Sequence, residues 1–339
     1  MKARLSDIAE RAGVSTSTVS RVLNNRPGVS HQIRTQVLTA VDVLGYDRPS
    51  QLRRRSTSLV GLVLPELTNP FFPRLAREIE VILARAGIAP VLCSQTPDGV
   101  HEDAYVETLL AHQVSGIIFV SGVHALVGSD PRRYQRLIEL GMPIVMVNGA
   151  LPGVDAPFVS IDDVVSIDVA MTHLEQMGHR RIGLALGQDF YSPVVRRRAA
   201  FETWTSERLD LRPGEQPGDL VACTTYTVDG GALAARRLLE RDVTAIVCGS
   251  DMMALGAIRE ARRQGLRVPQ DVSVIGSDDS PMVPYVDPPL TTVRQPAEAL
   301  AAQACGELLA QIEGREPNAG EMFCPPELVV RASTARPPA

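Results

Sequence analysis

The chain has no apolar run long enough to cross a bilayer as a helix. Its first residues, Met1 to Gly13, lack the apolar core of a secretory signal, so a cytoplasmic protein with no membrane partner is expected. No Cys-x-x-Cys pair occurs, and Cys93, Cys223, Cys248, Cys305 and Cys324 lie far apart. A zinc ribbon or thioredoxin-like site is thereby excluded, and buried free thiols are expected rather than disulfides. Dinucleotide (G-x-G-x-x-G) and P-loop signatures are missing, as are H-E-x-x-H and the G-x-S-x-G elbow. Neither a cofactor nor a metal is therefore expected, and an enzyme is disfavoured. Lysine is nearly absent: Lys2 stands alone, and arginine supplies the other 33 basic residues. That bias marks composition rather than a site.

What is present is 339 residues, 45% hydrophobic and 22% charged, enough for two or three domains. Charge is unevenly spread. Residues 1–58 hold ten basic groups against four acids, a net +6 on a chain whose formal charge is −5. A cationic head on an acidic body fits a polyanionic partner.

The head reads as three short helices. Leu5, Ile8, Ala9 and Ala12 form one apolar stripe, and Gly13 allows a turn. Ser15 can cap a second helix carrying Val19, Val22 and Leu23, before Pro27-Gly28 breaks it. Ser30 can cap a third, with Ile33, Val37, Ala40, Val41 and Leu44 inward and Gly45 at its end. This is a helix-turn-helix pattern over residues 1–47. Residues 48–58, polar and basic, read as a linker.

From Leu59 short apolar runs alternate with amphipathic helices. Candidate strands are 59–65, 89–94, 116–120, 143–148, 181–187, 244–249 and 272–276, with a helix over Leu75–Arg85. The alternation implies an α/β fold with parallel sheets covered on both faces. Its restart near Ser160-Ile161-Asp162 suits two doubly wound lobes, with ligand between them at strand ends.

Residues 5–46 resemble the head of the LacI/GalR family of bacterial transcriptional regulators. The resemblance continues, in family order, through Asn69-Pro70-Phe71-Phe72, Gly178-His179-Arg180-Arg181-Ile182, Val274-Ile275-Gly276-Ser277-Asp278-Asp279 and Pro289-Leu290-Thr291-Thr292-Val293. It implies a helix-turn-helix head joined to a two-lobed, periplasmic-binding-protein-like core over 59–339. The N-lobe is expected over about 59–160 and 295–324, and the C-lobe over about 161–293 and 325–339. The implied function is a homodimeric DNA-binding regulator, a repressor. It would recognise a pseudo-palindromic double-stranded operator and be controlled by a small-molecule effector, a sugar or sugar derivative, with a nucleoside as the alternative. The absence of a leucine-heptad tail after residue 325 favours a dimer over a tetramer.

Residue by residue, the resemblance makes Thr16, Ser17 and Arg21 base readers on a recognition helix running from about Thr16 to Asn24. Arginine can pair bidentately with guanine. Ser15, Ser20 and Asn24 are implied as phosphate contacts, Ser15 doubling as an N-cap. The family's Ala-Arg-x-Leu hinge is missing here. Leu52 is the apolar candidate for a minor-groove wedge, and Arg53, Arg54 and Arg55 can follow phosphates; a flexible basic tether is the alternative. In the core, Phe72, Asn148, Arg197, Tyr226, Ser250 and Asp278 are implied as effector contacts, with Phe71 in the core. Arg197 sits in an Arg-x-x-Gly-Phe pattern in which Ala200 replaces glycine. Its rival role is a structural ion pair with an acid of the second lobe. A solute-binding protein for uptake is opposed by the DNA-binding head.

Overall fold

The structure, a computed structural model, describes residues 5–23, 29–44, 58–95, 101–209, 211–318 and 320–338. Asn24, Leu52 and Arg53, together with Arg54 and Arg55, lie outside the described residues, as does nearly all of the expected linker. The chain divides into a small N-terminal unit ending at Ser58 and a large unit that begins at Leu59.

The N-terminal unit contains α1 (Leu5–Ala12), α2 (Thr16–Leu23) and α3 (His31–Val43). Ile8 and Ala9 of α1, Val19, Val22 and Leu23 of α2, and Val37, Ala40 and Val41 of α3 make one core. These are residues of the stripes that the helical period places on one side of each helix. Gly13 adopts a φ of +64°, a left-handed conformation that favours glycine, and turns the chain between α1 and α2. Ser15 caps α2 by accepting the Thr18 N–H at 3.2 Å. Ser30 does the same for α3 through the Ile33 N–H at 3.4 Å.

The large unit holds two six-stranded sheets. In the first are β1 (Ser58–Leu64), β2 (Ile88–Ser94), β3 (Gly116–Val120), β4 (Ile144–Val147), β5 (Pro157–Ile161) and β11 (Gly320–Cys324), in the order β11-β5-β4-β3-β1-β2. In the second are β6 (Ile182–Leu186), β7 (Val221–Cys223), β8 (Ala245–Cys248), β9 (Ser273–Ser277), β10 (Thr291–Arg294) and β12 (Glu327–Val329), in the order β12-β10-β9-β8-β6-β7. Between the strands run α4 (Phe71–Arg85), α5 (Glu102–Ala111), α6 (Arg132–Glu139), α7 (Asp163–Gln176), α8 (Ser192–Arg208), α9 (Val228–Leu239), α10 (Asp251–Arg263) and α11 (Ala297–Ile312). The fully buried strands β3, β4, β8 and β9 are continuous apolar or small-residue runs, as helices on both faces require.

The expectation of parallel sheets needs one correction. β12 runs antiparallel to β10, with Val293 opposite Leu328. β12 is entered from β11 of the first sheet through the two-residue link Pro325-Pro326 and closes an edge of the second sheet.

The chain passes between the lobes three times: from β5 to α7, from β10 to α11, and from β11 to β12. α11 packs on α4 and on β3, β4 and β5, while α7 packs on α8 and on the second sheet. After β12 the chain returns along the second sheet, where the Ser333 hydroxyl donates to the Val274 carbonyl at 2.6 Å. The thiols of Cys93, Cys248, Cys305 and Cys324 are buried and that of Cys223 half-buried, all of them free.

Candidate functional site

The strand ends at the lobe junction carry unusual backbone. Ser121 follows β3 with φ +45°, Asn148 follows β4 with φ +62°, and Asp278 and Asp279 follow β9 with φ +116° and +53°. L-residues adopt such angles at a cost, and strain of this kind gathers where a side chain must be aimed. Ser121, Asn148 and Asp278 all border one cavity of about 380 Å³ between the lobes.

Of the expected effector residues, Phe72, Asn148, Arg197, Tyr226 and Asp278 line this cavity. Phe72 enters on the first turn of α4, whose start is fixed by Asn69: its Oδ1 accepts the Phe71 N–H at 3.0 Å. Phe71 turns into the core, edge-on to Phe72 at 5.5 Å, and also reaches the cavity wall. Ser250 departs from the expectation. It is fully buried and is not among the cavity-lining residues; its hydroxyl accepts the Met253 N–H at 3.2 Å and caps α10. A serine is short enough to fold back on its own helix, which is why it serves as a cap rather than a cavity contact. Its neighbour Gly249 provides the wall there.

Arg197 combines the two roles set against each other in the sequence. It is buried, its Nε donates to Asp163 Oδ1 at 2.8 Å, and its Nη1 donates to the Gly249 carbonyl at 3.2 Å, yet it also borders the cavity. Burial opposes its charge, but Asp163, Tyr226 and Asp278 nearby outweigh that and raise its pKa above the usual arginine value. Tyr226 lies over Gly187, where any Cβ would collide with the ring. Burial pushes the Tyr226 hydroxyl up to about 12.

Asp278 accepts from Gln295 Nε2 and, at 3.3 Å, from Asn69 Nδ2 of the opposite lobe. Burial and then the Asp251 charge raise its pKa well above the carboxylate range, against the pull of Arg197. Asp251, the first residue of α10, accepts from the Ser280 N–H and the Thr292 hydroxyl, both at 2.6 Å, while burial pushes its pKa up to about 6. Asp279 points elsewhere, bonding Arg294 at 2.7 Å and Arg331 at 2.5 Å. The two neighbouring carboxyls thus part, one into the cleft and one away from it.

Sequence reasoning missed several residues of the wall: Asn69, Ser121, Asp163, Gln188, Tyr191, Arg196 and Gln295. Asp163 and Gln295 sit on the crossings between lobes, which only the assembled topology reveals. Tyr191 follows the Gly187 turn, and Leu126 forms a β-bridge to it from the other lobe. Three polar atoms of lining residues are buried with no hydrogen-bond partner among the described residues: Asn148 Oδ1, Gln295 Oε1 and Arg196 Nη2.

In the head, Thr16, Ser17 and Arg21 are exposed on α2, away from the Val19, Val22 and Leu23 core. Ser15 is exposed and Ser20 half-buried. The Ser15 hydroxyl lies 2.8 Å from that of Ser17 and 2.9 Å from that of Thr18.

Residues 4–49 match the family model of bacterial regulatory proteins, lacI family, and residues 171–334 match a periplasmic binding protein-like domain. The chain is 52% identical to the HTH-type transcriptional regulator MalR of Streptomyces coelicolor, over all of this chain and 98% of that one. The chain belongs to the LacI family. It is a DNA-binding transcriptional regulator of that family, with the family's head and two-lobed core. It is also 32% identical to the transcriptional repressor CytR of Escherichia coli, over 98% of this chain and 96% of that one. Among solved structures, a complex of the regulator CelR with cellobiose matches with a TM-score of 0.70 at 30% identity, covering 98% of this chain and all of that one. A lac repressor dimer bound to operator and an anti-inducer matches at 0.75 and 26%, covering 99% and 100%.

Proposed function

We propose that this LacI-family regulator is a cytoplasmic, homodimeric repressor rather than an enzyme, and that a neutral sugar or sugar derivative binds between its lobes. In this reading residues 1–47 bind a pseudo-palindromic operator, 48–58 connect, and 59–339 sense and dimerise. Thr16, Ser17 and Arg21 read bases, and Ser15 and Ser20 meet phosphates. Two relatives described as repressors support the sign of regulation.

The observation that carries the effector class is the trio of unpartnered atoms in the cleft wall. Asn148 Oδ1 and Gln295 Oε1 need donors, whereas Arg196 Nη2 needs an acceptor. A hydroxyl group supplies either, and a sugar carries several. Phe72 and Tyr226 offer ring faces for its apolar surface. The arginines of the cleft are already matched: Asp163 pairs with Arg196 and Arg197, and Glu321 pairs with Arg196. A phosphate would therefore find little uncompensated positive charge. Similar regulators with bound cellobiose and ribose agree with this reading.

A thermal-shift screen against sugars, sugar phosphates and nucleosides, paired with operator gel-shift, tests it. A ligand at 100 times its Kd adds about 2.7 kcal/mol to the folded state. Stabilisation by a free sugar that also alters operator affinity is expected. A response confined to phosphorylated ligands or nucleosides overturns the neutral-sugar reading.

A further inference from the structure

Arg196 is a half-buried residue of α8 in the second lobe, one position before the arginine that the family pattern marks. The structure gives it contacts on both sides of the cleft. Its Nε donates to Asp163 Oδ2 at 2.9 Å, and its Nη1 reaches across to Glu321 Oε1 on β11 of the first lobe at 2.8 Å. Its guanidinium carbon also lies 5.8 Å from the centre of the Phe323 ring on the same strand. Arg196 borders the cavity, and its remaining nitrogen, Nη2, is buried without a partner. A buried N–H left unmade carries its full desolvation penalty, so an acceptor that arrives there recovers it.

We propose that Arg196 is a ligand-reading latch: Nη2 donates to an oxygen of the effector while Nη1 holds Glu321, so that filling the cleft reinforces the bridge between the lobes. The inference deepens the proposed function and rests on the cavity being the effector site. It also assigns direction to the coupling. A ligand that satisfies Nη2 binds the bridged arrangement better than an unbridged one, and that difference in affinity is what shifts a conformational equilibrium. A ligand that fills the apolar part of the cleft but offers no acceptor to Arg196 would bind without locking the lobes.

Two substitutions separate the parts. Arg196→Met removes the guanidinium and keeps an unbranched stem. Glu321→Gln weakens the bridge from a residue that does not line the cavity. Hydrogen exchange on the ligand-free proteins reads the bridge. Titration calorimetry with glucose, ribose, maltose, cellobiose, glucose 6-phosphate and adenosine reads the ligand contact. Both variants are expected to exchange the amides of 320–324 several-fold faster than wild type. For the panel member that wild type binds most tightly, Arg196→Met should weaken binding tenfold or more and Glu321→Gln only two- to threefold. Equal losses in the two variants would overturn the ligand contact and leave Arg196 a structural strut. Unchanged exchange in both would overturn the bridge. Failure of wild type to bind any panel member, with exchange responding as expected, would overturn the sugar reading and the ligand half of the proposal while upholding the bridge.

Discussion

Replacing Arg197 with methionine tests the cleft at its most connected point. Asp163 is buried and divides its two oxygens between Arg197 Nε at 2.8 Å and Arg196 Nε at 2.9 Å. Removing one partner of a buried pair costs about 3–5 kcal/mol, because the other charge stays buried and unmatched. Arg196 remains to satisfy half of Asp163, so the low end, about 3 kcal/mol, is expected. At this domain size each kcal/mol lowers Tm by about 2–4 °C, giving a fall of about 6–12 °C. The same substitution removes charged donors from the cavity wall; hydrogen bonds to charged groups are worth about 1.5–3 kcal/mol, a loss of effector affinity of about ten- to 150-fold. Calorimetric melting and effector titration on one protein check both numbers. The double variant Asp163→Leu/Arg197→Met should recover part of the Tm but none of the effector affinity, since it removes the unmatched Asp163 charge, leaves Arg196 only Glu321 as partner and restores no donor. A Tm within 1 °C of wild type for Arg197→Met would refute the ion-pair reasoning, and effector affinity within twofold would remove Arg197 from the site.

Three further outcomes follow from the head and the cleft. Arg21→Ala should lose about 1–3 kcal/mol at a specific operator and much less on random DNA; equal losses in a competition gel-shift would make Arg21 a phosphate contact. Asp251, raised from 3.8 to about 6, contributes stability that is present below about 3.8 and lost as pH rises through 6. Asp251→Asn should therefore gain on wild type by up to about 3 kcal/mol between pH 3 and 7.5, and a pH-independent difference in denaturant titrations would show that Asp251 ionises normally. Gly187→Ala places a methyl against the Tyr226 ring; overpacking of this kind costs about 1–3 kcal/mol, and displacement of the ring should weaken effector binding about tenfold, whereas unchanged affinity would take Tyr226 out of the ligand's reach.

The head was legible because every rule involved is local. Apolar residues three and four apart, Gly13 at a left-handed turn and two serine caps specify α1 to α3 without reference to distant chain. The long apolar runs were legible for the same reason, and each of the seven expected strands falls within one residue of the observed one. The strands that escaped notice have different chemistry. β10 buries Thr291 and Thr292, β5 buries Ser160, and β7 and β12 are three residues long, so none presents a continuous apolar signal. Helix α4 starts four residues before its expected beginning because Asn69, not periodicity, sets its first turn. The cleft divides along the same line. Phe72, Arg197 and Asp278 were found from motifs at the ends of elements. Asp163, Gln295 and Arg196 act through partners 17 to 125 positions away, and nothing local announces them. Ser250 shows the converse: a family position was legible, but its side chain took the nearest donor, the Met253 N–H, instead of the cavity. Motifs thus locate where the cleft is built, while the charges that tie its two walls together emerge only when both sheets stand side by side. Those ties, Arg196 to Glu321 and Asp278 to Asn69, join the lobes across the cleft, and under the proposed function a bound effector alters the relation of one lobe to the other there.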